Sequence, residues 1–352
     1  MRFVIDCRML QCSGIGTFLD GVVKEIINCR DISFILIGDK QRLSIYRQDN
    51  VEFIPCKIPI FSVQELYGFP TSEINKCDCF FTPNYNIPPG IKIPIFSTIH
   101  DVLFLDFPDL KWFVGRLIRK LAIDRAIKLS THIFTVSEFS KSRILYHSHR
   151  VKSISVCYNG ADNILGGSIE KPSVYIDGEY YIYVGNIKPH KGLNVLLEAI
   201  EQPPIRRLNR KLVIVGNQKS FKTADTVITK RLAELSKFGK IIFTGYVDKS
   251  DLVNLIKGAY CLIQPSEYEG FGLPPLEALQ LGTPVIVSDI PVFKELYMDF
   301  PVVYFKAGDP CSLAAAMNLP FPRIKLNSTL RNKYTYKRTA DIILSDIKSH
   351  LQ

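Results

Sequence analysis

Short apolar runs alternate with longer stretches whose apolar positions recur every three or four residues. Runs at 2–6, 33–39, 80–82, 94–99, 132–136 and 153–157 have the length and continuity of buried parallel strands. Helical periodicity lies between them, at 19–27 and 111–129, and Ser137 stands as an N-cap before a further helix. The stretch 12–18, with Gly14 and Gly16, reads as a glycine-bearing turn. From 163 to 181 the pattern lapses into Gly166-Gly167, Pro172 and Gly178, which marks a hinge. A second series follows. Its strands are expected at 180–184, 212–215, 241–244, 261–264, 284–287 and 302–304. Helices are expected near 193–201, 226–237, 249–257, 276–281, 292–296 and 311–317. Such alternation predicts an α/β chain with two doubly wound, Rossmann-like domains, at 1–165 and 166–322, and a closing segment 323–352.

Length agrees, since 352 residues exceed what one core usually organises. No run of about 18 uncharged apolar residues occurs. Met1-Arg2-Phe3 passes directly into a strand, so no secretory signal is expected. Nine scattered cysteines, without a C-x-x-C, suit reduced thiols in a cytoplasm better than a disulfide frame or a zinc site. The net charge of +10 points to anionic partners without choosing among nucleic acid, a membrane surface and phosphorylated substrates. The helix 111–129 changes the picture most. Phe113, Val114, Leu117, Ile118, Leu121 and Ala122 form its apolar positions. Lys111, Arg116, Arg119, Lys120, Arg125 and Lys128 supply six cations against Asp124. It is read as a core-facing helix with a solvated basic face, and the same face suits an anionic lipid surface.

Candidate chemistry gathers at Glu269-Gly270-Phe271-Gly272-Leu273-Pro274-Pro275-Leu276-Glu277. The apolar run 261–264 precedes it and strong helix formers follow, so two glutamates bracket a strand–loop–helix corner. Ligands of open α/β sheets bind at such corners. Gly270, Gly272 and the helix start suit a phosphate, while the carboxylates suit hydroxyl groups. Phosphate flanked by polyols describes a nucleotide sugar. The sequence contains no D-x-D to hold a divalent ion against the departing phosphate. Lys191, in Gly185-Asn186-Ile187-Lys188-Pro189-His190-Lys191-Gly192, is a cation placed to take that role. His100 falls at a strand's carboxyl end, although a lone histidine is more often structural. Gly14-x-Gly16 with Asp39 hints at a dinucleotide site, but Gly21 lies too far along for that fingerprint.

The stretch Glu269 to Glu277 resembles the E-x7-E signature of retaining glycosyltransferases of the GT-B fold, the GT4-type enzymes. The resemblance implies two Rossmann-like domains facing a cleft, with a final helix crossing back onto the first. It implies that Glu269 binds the sugar hydroxyls, that Glu277 binds the ribose, and that Gly270, Phe271, Gly272 and Leu273 meet the diphosphate. Lys191 matches the family's phosphate lysine. Asn186 stands where many members carry arginine, a role Lys188 is placed to take. Val247 matches the base site. Gly14 and Gly16 match an N-terminal loop near donor phosphates or acceptor, and His100 a histidine beside the donor sugar. With His100, Lys191 and Glu269 as catalytic candidates, the resemblance implies metal-independent, cofactor-free hexosyl transfer with retention.

The Gly14-Ile15-Gly16 loop, His100-Asp101 and Pro189-His190-Lys191 resemble mannosyltransferases of bacterial polysaccharide or O-antigen assembly. GDP-mannose is the expected donor and a lipid-linked glycan the expected acceptor. UDP- or dTDP-sugars, rhamnose included, remain open, as do a phosphorylase of the same fold and a non-enzymatic nucleotide-binding module. The expected location is cytoplasmic, peripheral on the inner face of the membrane, with no nucleic-acid partner.

Overall fold

The computed structural model describes residues 1–10, 12–107, 113–166, 173–216, 226–237 and 239–352. The chain divides into two compact units, Met1–Gly160 with Tyr334–Gln352, and Ala161–Lys333. Each is built on one parallel sheet. In unit 1 the strands are β1 (Arg2–Asp6), β2 (Ser33–Gly38), β3 (Val51–Pro55), β4 (Cys79–Thr82), β5 (Ile95–Thr98), β6 (His132–Thr135) and β7 (Ile154–Val156). Their order across the sheet is β3-β2-β1-β4-β5-β6-β7. Unit 2 contains β8 (Tyr180–Val184), β9 (Lys211–Val215), β10 (Ile241–Gly245), β11 (Cys261–Gln264), β12 (Val285–Ser288) and β13 (Val303–Phe305), in the order β10-β9-β8-β11-β12-β13. Strand order therefore reverses between β1 and β4 and between β8 and β11. These are the crevices where doubly wound sheets take ligands. Both units are Rossmann-like, because β4, β5, β6 and β11 are buried along their whole length and need cover on two faces.

Sequence and structure part at three places. β3 was not expected. Its Val-Glu-Phe-Ile-Pro alternates only weakly, and it lies at the sheet edge, where Pro55 is tolerated. The first helix runs Ser13–Ile26, so Gly14 and Gly16 form its opening turn instead of a separate loop, and the Gly16 amide bonds the Cys12 carbonyl at 3.0 Å. The third difference concerns the basic helix Phe113–Leu129. Its buried side is Ile123 and Ile127, packed with Ile99, Val102, Ile133 and Ile144, and Ala126, which joins the neighbouring core of Val4, Ile35, Phe80 and Ile95. Leu117, Ile118 and Leu121, expected to face the core, are exposed. The helix carries two apolar stripes, and the periodicity could not tell which one finds a partner. Lys111 lies outside the described residues.

The closing helix Tyr336–Leu351 belongs to unit 1. Tyr336, Ala340, Ile343 and Ile347 enter the core formed by Phe18, Val22 and Ile26 of the first helix. Gly21 permits the close crossing, since a Cβ there would sit 2.3 Å from the Tyr336 ring. Thr339 Oγ1 adds a hydrogen bond to the Tyr158 carbonyl at 2.5 Å.

Candidate functional site

In unit 2 the reversal point is made by the segments leaving β8 and β11. After β8 the chain makes a tight turn over Pro189–Lys191 and begins the helix Leu193–Glu201 at Gly192. Gly192 is left-handed, with φ +66°, and a Cβ would sit 1.8 Å from the Pro265 carbonyl oxygen. Only glycine fits that approach. The Glu267 amide donates to the His190 carbonyl at 2.8 Å, a second stitch between the two segments. Together they place Lys191 against Glu269.

Lys191 Nζ lies 2.6 Å from Glu269 Oε1 and 2.7 Å from Oε2, and both side chains are largely buried. Oε1 also accepts from Ser266 Oγ at 2.8 Å and Gln264 Nε2 at 3.3 Å. The carboxylate is therefore held asymmetrically: Oε1 takes three donors, while Lys191 is the partner of Oε2. Gln264 is itself fixed by Ser266 Oγ at 2.8 Å, and its own oxygen is buried without a hydrogen-bond partner. Sequence reasoning missed Gln264 and Ser266. The available signal was a polar residue at the carboxyl end of an otherwise apolar strand.

The corner continues through Gly270 and Phe271 to Gly272, which has φ +92° and caps the helix Leu273–Gln280. Tyr297 Oη donates to the Gly272 carbonyl at 2.5 Å. Pro274 and Pro275 lack amide protons, so Leu273 and Leu276 are the donors of that first turn. Glu277, on the same helix, has its pKa pushed up to about 7 by burial, with the charge of Lys249 pulling the other way. Asn186 is exposed, and its carbonyl accepts from the buried Tyr183 Oη at 3.0 Å. Val247 follows β10, the edge strand two places from β8. The structure thus brings Lys191 and Glu269 into contact and sets Gly270, Phe271, Gly272, Leu273 and Glu277 on the adjoining corner. His190, next to Lys191 in the turn after β8, is held neutral, its pKa lowered to about 4 by burial and the Lys191 charge.

Unit 1 holds the other candidates. His100 follows β5, and its Nε2 lies 2.9 Å from the Pro83 carbonyl. A carbonyl only accepts, so Nε2 carries the proton and Nδ1 is the basic nitrogen. Burial lowers the pKa of His100 to about 4, so the ring is neutral at ordinary pH. Phe18, one turn beyond Gly14 and two residues beyond Gly16, meets the ring edge-on with centroids 5.0 Å apart. At the reversal between β1 and β4 lies a buried ionic cluster. Arg8 Nη2 contacts Asp6 Oδ2 at 2.7 Å, and Nη1 contacts Glu65 Oε1 at 2.7 Å. Glu65 also accepts from Asn86 Nδ2 at 2.7 Å. Glu65 escaped notice in the sequence because it stands in no motif, and its partners Arg8 and Asn86 lie far from it along the chain.

Among the described residues no group of three or more His, Cys, Asp or Glu side chains is placed to hold a metal ion. No described helix is long and apolar enough to cross a membrane.

Residues 168–322 match the family model described as glycosyl transferases group 1. The O-antigen chain mannosyltransferase RfbU of Salmonella typhimurium is 31% identical over 201 residues, 56% of this chain and 53% of that protein. The O-antigen chain mannosyltransferase B of Escherichia coli is 27% identical over 231 residues, 63% of this chain and 59% of that protein. The aligned regions thus span between half and three fifths of these relatives. Among solved structures, Anabaena Alr3699/HepE in complex with UDP and glucose superposes with a TM-score of 0.68 at 16% identity, covering 99% of this chain and 100% of that one. The lipopolysaccharide outer core galactosyltransferase WaaB gives 0.62 at 17%, covering 99% and 100%. At such identities the likeness establishes the fold, which is GT-B.

Proposed function

We propose, starting from the group 1 glycosyl transferase domain that residues 168–322 form, that the chain transfers a hexose from a nucleotide sugar to a glycan with retention of configuration. The observation that carries this reading is the Lys191–Glu269 pair at the reversal point of the second sheet. A cation and a carboxylate side by side match the two halves of a glycosyl diphosphate. Lys191 takes the diphosphate oxygens and Glu269 accepts from the sugar hydroxyls, oriented by Ser266 and Gln264. Glu277 accepts from the ribose, and Gly270, Phe271, Gly272 and Leu273 line the phosphates. Asn186 and Val247 are assigned to the donor, and Gly14, Gly16 and His100 keep the roles the family resemblance gives them.

In the reaction the bond between C1 and the phosphate oxygen breaks, and the electron pair leaves with the nucleoside diphosphate. The acceptor hydroxyl attacks C1 from the same face and gives its proton to the departing phosphate. Lys191 stabilises the charge that develops there, a contribution of several kcal/mol in a water-poor site. This scheme needs no metal and no cofactor. GDP-mannose is the favoured donor, supported by relatives named as mannosyltransferases. The acceptor is a glycan carried on lipid, and the cations of helix Phe113–Leu129 draw the protein to the inner face of the membrane.

The test is release of nucleoside diphosphate from a panel of GDP-, UDP- and dTDP-sugars, with EDTA present and absent. Turnover is expected with GDP-mannose and unchanged by EDTA. Lys191→Ala and Glu269→Ala are each expected to lower it by about a hundredfold while staying folded. Activity that disappears with EDTA and returns with manganese refutes the metal-free scheme. Turnover of sugar phosphates with free phosphate release would make the chain a phosphorylase instead.

A further inference from the structure

The exposed apolar residues of unit 1 are concentrated on two segments. One follows β3 and presents Phe61, Val63, Leu66 and Tyr67, between 53% and 87% exposed. The other is the unburied stripe of helix Phe113–Leu129, where Leu117, Ile118 and Leu121 are 49% to 62% exposed.

A chain of ring contacts joins the two segments. Phe61 meets Tyr85 at 5.4 Å between centroids, and Tyr85 meets Phe104 at 6.5 Å. The Arg119 guanidinium stands 5.9 Å from the centre of Phe104. Tyr85 follows β4 and Phe104 follows β5, so the patch adjoins the strand-end loops that hold Asn86 and His100.

The first segment is held in shape. Glu65 is buried, bound by Arg8 and Asn86, so the residues on either side of it are turned outward. Phe61 has φ +58°, a left-handed conformation that a bulky residue keeps only when its surroundings impose it. Charge then selects the partner. Lys120, Arg125 and Lys128 lie on or beside the helical stripe, Arg119 stands by Phe104 between the two segments, and the one acid of the helix, Asp124, pairs with Lys120 at 2.7 Å. The carboxylate of the first segment is buried beneath Arg8. Aromatic and aliphatic side chains among cations that can extend to headgroups fit an anionic lipid interface. A protein partner would need matching acids.

We propose that the 61–67 segment and the outer stripe of helix Phe113–Leu129 insert together into the headgroup region of an anionic bilayer. The loops after β4 and β5 then open at the lipid surface, where a lipid-carried acceptor is presented. This deepens the membrane location proposed above and rests on it. It adds an apolar wedge to what would otherwise be charge attraction alone.

Sedimentation with phosphatidylcholine vesicles, with and without phosphatidylglycerol, tests the wedge in low and high salt. Wild type is expected to bind the phosphatidylglycerol vesicles and to retain part of that binding in high salt. The double variant Phe61→Ser, Tyr67→Ser should bind at least about tenfold more weakly and lose the salt-resistant part. Its circular dichroism and its lipid-free release of nucleoside diphosphate should match wild type. Equal vesicle binding by both proteins overturns the wedge, and so does complete release of wild type by salt. Absence of wild-type binding, or a dimer that the double variant dissolves, also overturns it. Loss of nucleoside diphosphate release in wild type refutes the transferase reading and leaves the binding result intact.

Discussion

Lys191 and Glu269 are paired at 2.6 Å, so under the proposed function a donor has to separate them before it can engage either. Glu269 keeps its place when Lys191 leaves, because Ser266 and Gln264 still hold Oε1. The oxygen released is Oε2, which fixes the side of the carboxylate offered to a sugar. Glu277 makes a separate demand. With its pKa raised to about 7, it is protonated over much of the acidic range and becomes a two-oxygen acceptor as pH rises through 7. Nucleotide binding is therefore expected to tighten between pH 6 and pH 8, and Glu277→Gln should flatten that dependence. Titration calorimetry across this interval decides, and a wild-type affinity independent of pH would remove Glu277 from the ribose. The two glutamates were legible because their spacing is a pattern. Gln264 and Ser266 were not, since their roles depend on a shared target three to five positions away in a loop whose path no periodicity fixes.

The turn after β8 and the loop after β11 work as one piece because Gly192 lets them touch. Gly192→Ala must place a methyl group on the Pro265 carbonyl while keeping φ at +66°. Left-handed strain and the clash together should destabilise unit 2 by about 2 kcal/mol or more. Urea unfolding measures this, and a change below about 0.5 kcal/mol would mean the approach is looser than described. All the strands but one were readable as apolar runs. β3 escaped because an edge strand tolerates Glu52 and Pro55, which blur the run. The helix Phe113–Leu129 was recognised as a helix but turned the wrong way. Ile123, Ala126 and Ile127 are as regularly spaced as Leu117, Ile118 and Leu121, and only the packing partner distinguishes them.

Two sheets, each with a reversal of strand order, followed from the alternation of runs, whereas the distribution of buried titratable groups did not. His100 and His132 in unit 1, and His190 in unit 2, all have pKa values lowered to about 4, chiefly by burial. A histidine depressed in this way favours the folded state above its unfolded pKa of about 6.5, and the benefit is lost as pH falls through 4. Unit 1, which holds two of the three, should lose more stability than unit 2 between pH 6.5 and pH 4. His132 faces Asp346, which raises its pKa, and His350, which lowers it, while Ser153 and Ser155 bond its two nitrogens at 2.8 Å. His132→Gln should recover part of the loss in thermal melts followed from pH 7 to pH 4.5. An identical acid shift in variant and wild type would exclude His132 as a source.

Unit 1 is discontinuous in sequence, and this sets an order on its making. A ribosome delivers Phe18, Val22 and Ile26 more than three hundred residues before the Ile343 and Ile347 that cover them. Throughout that interval the first helix has an uncovered apolar face, a natural target for a holding chaperone. Ala161–Lys333 is unbroken and can close its core as soon as it emerges. The half of the molecule translated second is thus the first able to finish folding, and the half translated first waits for the tail.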